Sequence, residues 1–152
     1  MMVIVSVRNE ALMAMLSGAP NRLRDAMART MTRLSIELQA NVKKDKLSGQ
    51  VLHTRTGTLR RSINRSISQS GDGVVATVGT NVKYAGVHEY GFDGVVTVKD
   101  HLRACKNGGT AEVKSHTRHM KLPERSFLRS ALREMVPQIK EDIRSAALKA
   151  LS

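Results

Sequence analysis

At 152 residues the chain is long enough to bury one core and too short for two independent ones, so a single domain over residues 1–152 is expected. Apolar residues make up 41%, yet no run approaches the roughly 18 uninterrupted apolar residues that span a bilayer, so no membrane helix is expected. Lysine and arginine number 25 against 13 acids, a net charge of +12, and that excess calls for an acidic or polyanionic partner.

The first residues, MMVIVSVRNE, alternate briefly from Val3 to Val7. They carry no basic segment ahead of the apolar residues and no small-residue cleavage site, so a secretion signal is not expected. One cysteine, Cys105, excludes an intramolecular disulfide and fits a reducing compartment. Synthesis in a cytoplasm follows. RNEALMAMLSG has the pattern of a short helix ending at Gly18.

From Pro20 to about Lys46 a long helix is expected, because Leu23, Met27, Met31, Leu34, Leu38 and Val42 recur at steps of three and four and form one apolar face. At 1.5 Å per residue it would run on the order of 40 Å, more than a small core needs. Its far end is therefore expected to meet a neighbouring subunit. Ser48 and Gly49 break the period.

Gly57 marks a turn, and Leu59, Ile63 and Ile67 fit either a strand or a helical turn running into one. GDG at 71–73 followed by VVATVGT completes a hairpin. In KYAGVHEYG, Tyr84, Val87 and Tyr90 stand at helical spacing, and small Ala85 and Gly86 allow close approach of another backbone. Residues 92–122 hold glycines and short β-prone pieces, the pattern of an extended loop or a long hairpin. After Pro123, Leu128, Leu132, Met135, Ile139, Ile143, Ala147 and Leu151 define a last amphipathic helix, which Pro137 should kink or divide. The order implies an α+β fold: a long N-terminal helix and a C-terminal helix packed on a small antiparallel sheet, with the loop or hairpin before the last helix.

Chemistry finds little to stand on. His101 with Cys105, and His116 with His119, have helical ligand spacing, but their surroundings are poorly helical and lack a cysteine-rich zinc signature, so surface histidines are the expected reading. Asp72, Glu89, Asp93 and Asp100 show no two-metal spacing. Nothing near Cys105 resembles a nucleophile turn, and no phosphate loop is present. No enzyme activity, cofactor or metal is expected. Residues 51–71 hold four arginines and no acid, which makes Arg60, Arg61 and Arg65 candidate polyanion contacts. The competing reading is a solvated basic face.

Three segments carry a resemblance: RTGTLRRSI at 55–63, VGTNVKYAGVHEYGF at 78–92 and HTRHMKLPERSFLRSAL at 116–132. In that order, behind a long amphipathic helix, they resemble the neck or tail-completion proteins of tailed bacteriophages. Their shared segments read R-T-G-x-L-x-x-S-I, Y-A-x-x-x-E-x-G and Pro-x-Arg-x-Phe-Leu. The resemblance implies a homo-oligomeric ring at the head-to-tail junction, with connector or head-closure and tail proteins as partners, packaged DNA nearby, no membrane contact and no catalysis. Mapped onto this chain, the resemblance implies interface or structural roles for Arg55, Gly57, Leu59, Tyr84, Ala85, Glu89, Gly91, Pro123, Arg125, Phe127 and Leu128, together with Tyr90 between Glu89 and Gly91. Glu89 is the only acid between Asp72 and Asp93; Arg55 or Arg125 is expected to pair with it, within a subunit or across an interface. The loop 93–121 is not fixed by the shared motifs. An independent basic nucleic-acid-binding protein is the alternative, against which stands the shortage of aromatic stacking platforms.

Overall fold

The computed structural model describes residues 3–7, 21–70 and 73–151. The short helix expected at 8–18 and the turn at 71–72 lie outside these residues. Helix α1, Asn21–Asn41, continues without interruption into a π-helical segment, Val42–Gln50. Every residue of the expected apolar face, from Leu23 to Val42, is buried. The helical geometry fails at Gly49, whose φ of 131° is open to glycine.

The far end of this helix packs on the chain's own last helix. Lys46 and Leu47 are buried, and Lys46 Nζ donates to Glu134 Oε1 at 2.6 Å, so the excess length is spent on the last helix. That helix, α4, runs Leu128–Leu151 and is not divided at Pro137. It lies antiparallel to α1, as the pairs Gln138 with Glu37 and Glu134 with Lys46 require.

Against α1 packs a three-stranded antiparallel sheet in the order β1, β3, β2: Val3–Val7, Gly73–Thr80 and Asn64–Ser70. Ala76, Val78 and Thr80 alternate along β3 and are buried, the period of a strand with one face on a core. The core joins Leu34 and Leu38 of α1 and Val42 of the π-helical segment to Ile63, Val78, Phe127 and Leu128. At roughly 1.5–3 kcal/mol per fully buried large apolar side chain, this contact fixes the helix pair on the sheet.

Ahead of β2, Gly57 takes φ 72° and opens a single helical turn, α2, Thr58–Ser62. The segment from Leu59 is thus the helical turn running into a strand. Gln39 Nε2 donates to the Ile63 carbonyl at 2.7 Å, tying this junction to α1.

Residues 92–122 form a long hairpin. Strand β4, Phe92–Val98, pairs with β7, His116–Leu122; beyond them β5, His101–Ala104, pairs with β6, Thr110–Val113. The register set by Phe92 opposite Leu122 continues unchanged to His101 opposite Val113 and Ala104 opposite Thr110. Cys105 N donating to Gly109 O at 2.7 Å closes the tip. Twelve steps at about 3.4 Å make a ribbon on the order of 40 Å long. Its outer half is exposed on both faces except at the half-buried Val113.

Candidate functional site

Helix α3, Ala85–Tyr90, delivers Glu89 to the start of α4. The first turn of α4 holds no acid of its own, so its free amides need an acceptor from elsewhere. Glu89, with no solvent exposure, supplies it. Its Oε2 accepts from Phe127 N at 2.8 Å and Leu128 N at 3.0 Å. Its Oε1 accepts from Ser126 Oγ at 2.8 Å, Arg129 N at 2.9 Å and Arg129 Nε at 3.1 Å.

Burial alone pushes the Glu89 carboxyl up, but the amides of Leu128 and Arg129, the Ser126 hydroxyl and the Phe127 amide outweigh it and hold the group below its ordinary value. A carboxylate at a helix N-terminus also meets the positive end of the helix dipole. Desolvation works against the Arg129 charge, and bonds to Glu89 with the nearby Glu124 more than offset it. Arg129 Nη2 reaches the Glu89 carbonyl at 2.7 Å and Glu124 Oε1 at 2.8 Å, and its guanidinium lies 4.4 Å from the Tyr90 ring centroid.

Gly91 closes the junction. With φ 75° and ψ 176°, it occupies backbone space essentially reserved for glycine. A Cβ there would stand 2.9 Å from Glu124 N and 3.0 Å from Leu122 O. The two ends of the hairpin therefore pass one another at contact distance, and Arg125 N donates to His88 O at 2.8 Å beside them.

Next to this hairpin root lies a cavity of about 500 Å³. Leu47, Leu52 and Leu59 supply apolar wall; Arg55, Arg60 and Arg125 line it with charge, and no acid does. Tyr84 and His88 face it as an edge-to-face pair, ring centroids 5.9 Å apart. Among the described residues, the three guanidiniums make no hydrogen bond or ion pair.

A buried structural carboxylate, a glycine-locked hairpin root and a basic cavity describe a body built to hold an arm. A family model described as the phage virion morphogenesis family matches residues 31–152. The chain belongs to that family. No curated protein and no solved structure gives a match. Its role is accordingly in assembling the phage virion.

In this phage virion morphogenesis protein, most of the residues singled out by sequence gather in two places, the start of α4 and the cavity. Glu89, Gly91, Phe127 and Leu128 meet at the start of α4, where Phe127 and Leu128 are fully buried. Arg55, Gly57, Leu59, Arg60, Tyr84 and Arg125 surround the cavity. Ala85 is buried in the chain's own core, so close approach there is internal. Arg61 leaves the cavity to donate to the Thr56 carbonyl at 3.1 Å, and Arg65 lies on β2 beside a separate shallow depression. Pro123 is exposed at the ribbon's end.

The expected partner of Glu89 is corrected: it is Arg129 with the helix amides, and neither Arg55 nor Arg125. Arg129, Ser126 and Glu124 were missed. An α4 first turn without an acid was the available signal, since those amides need an outside acceptor. The loop histidines His101, His116 and His119 sit exposed on strands, in line with the poorly helical surroundings their sequence showed. His101 and His116 turn Nδ1 to the carbonyls of Lys99 and Lys114 at 2.9 and 2.8 Å. Among the described residues, no three metal-ligating side chains gather.

Proposed function

We propose that this chain is a structural subunit without catalysis that forms a homo-oligomeric ring at the head-to-tail junction of a tailed phage, as a neck or tail-completion protein between capsid connector and tail. It is made in the host cytoplasm and ends in the virion. The observation that carries the reading is the hairpin 92–122, whose outer half is exposed on both faces except at Val113. A two-stranded ribbon without a covering layer is marginal in water, so a contact outside the described chain is what would give it order. Glu89 supports the structural role as well, since both its oxygens are committed to α4 and its lowered pKa is opposite to what a general acid needs.

Light scattering across concentration, on the protein alone and mixed with the connector assembly of its phage, tests the reading. A ring, or stoichiometric joining to the connector, is expected. A monomer that ignores connectors and binds DNA at physiological salt would replace it with the nucleic-acid-binding alternative.

A further inference from the structure

The hairpin and the basic cavity have complementary ends. In the outer ribbon, Leu102 is 73% exposed, the most exposed large apolar side chain among the described residues. It lies directly opposite Glu112 in the register, so the two side chains share one face. Asp100 stands two positions before Leu102. That face also carries Lys114, whereas Lys99, His101 and Arg103 alternate to the other side. An apolar anchor flanked by two acids is the chemistry that a cavity with leucine walls and three unpaired arginines takes.

The two ends cannot meet within one chain. The cavity is at the hairpin root, because its lining residues His88 and Arg125 are bonded to each other next to Phe92 and Leu122. Leu102 lies ten ladder steps from that root, roughly 30 Å away along an extended ribbon. A contact between one patch and a different patch on a second copy is heterologous, the type of interface that generates a ring when its rotation closes.

We infer that the tip face of the hairpin, Leu102 with Asp100 and Glu112, docks into the Arg55, Arg60 and Arg125 cavity of an adjacent copy of this chain. The inference rests on the ring reading and gives that ring its joint. Leu102 enters against Leu59 and its neighbours, and the acids pair with the arginines at the cavity rim. Arg125, beside the root of the receiving copy's own hairpin, links one joint to the next.

A charge swap on the full chain tests it. One variant carries Asp100→Lys and Glu112→Lys; a second carries Arg55→Glu and Arg60→Glu; a third carries all four. These side chains are exposed and make no hydrogen bond or ion pair among the described residues, so all three variants should keep the wild-type circular dichroism spectrum. Self-association is measured by sedimentation equilibrium and, for each variant, by incorporation into phage particles. Each two-site variant should weaken self-association about tenfold or more, while the four-site variant recovers most of the loss, the signature of direct charge pairing. If the wild type forms rings and the swaps leave association unchanged, or weaken it without recovery, the joint is wrong while the ring stands. A wild-type chain that is monomeric both in solution and in particles would overturn both.

Discussion

The Glu89 carboxylate caps a helix that begins 39 residues later in the chain, accepting the Leu128 amide at 3.0 Å. The acid is buried completely, and the amides it serves are those that any helix leaves without partners at its N-terminus. The bond joins α3, the hairpin root and α4 at one point, so the angle at which the hairpin leaves the body is set there.

Replacing Glu89 with glutamine should therefore act on stability first. Its amide nitrogen would face donors, and leaving the buried Phe127 or Leu128 amide without an acceptor costs roughly 1–3 kcal/mol each. A loss of about 3 kcal/mol is expected, lowering Tm by roughly 6–12 °C for a chain of this size. Thermal and urea denaturation measure it. A variant within 1 °C of wild type, about a few tenths of a kcal/mol, would show that the cap carries no weight.

The same bond makes stability depend on pH. Because the folded pKa of Glu89 lies below its ordinary 4.5, the unfolded chain binds the proton more readily. The stabilisation is fully present above about pH 4.5 and is lost as pH falls through the lowered folded value. In that window the wild-type unfolding free energy should fall more steeply than that of E89Q, by up to about 1.4 kcal/mol per pH unit for one proton. Urea titrations from pH 3 to pH 6, roughly the carboxylate range, check it; parallel curves would assign the acid sensitivity to other carboxylates.

Gly91→Ala tests the hairpin root. Its backbone conformation costs an L-residue about 1–3 kcal/mol, and the added Cβ meets main-chain atoms of Glu124 and Leu122 that cannot swing aside. Destabilisation in that range is expected, together with loss of assembly greater than Tm alone explains, because the hairpin is re-aimed. Normal assembly at normal stability would mean the root tolerates a shift.

How much of this was legible in the sequence depends on whether a residue's partner is a neighbour on the same element. Leu23 through Val42 announce α1 because their spacing alone puts them on one face, and all are buried. Gly57 announces its turn because φ 72° is a local requirement. Glu89 was visible as an isolated acid, but its main partners are amides, which every residue carries, so counting charges pointed to Arg55 and Arg125. The hairpin was legible only as one of two alternatives. Gly94, Gly108 and Gly109 interrupt its alternation, while its order comes from the cross-strand register of Phe92 with Leu122.

Phe127→Ala should be the most destabilising single change in the core. The ring is fully buried between α1, β3 and α4, and such truncations cost about 3–5 kcal/mol in lost transfer energy and cavity. The variant is expected to lose m-value as well as midpoint if the start of α4 loosens. Phe127→Leu separates the two effects: it fills most of the volume, leaves the Phe127 amide on Glu89, and should recover more than half of the loss.

Arg61→Glu with Arg65→Glu asks whether the basic excess is a nucleic-acid surface. Both side chains are exposed, and Arg61 gives up only a bond to the Thr56 carbonyl, so stability should stay within about 0.5 kcal/mol per site. Retention on duplex DNA at low salt should fall, since each lost phosphate contact removes close to one released counterion from the salt dependence. Particle assembly should continue, because neither arginine lines the cavity beside the hairpin root. Measured together, gel retention at two salt concentrations and particle yield separate the readings. Tight DNA binding by the wild type at physiological salt, abolished with particle formation by these two changes, would make polyanion contact the purpose of the patch.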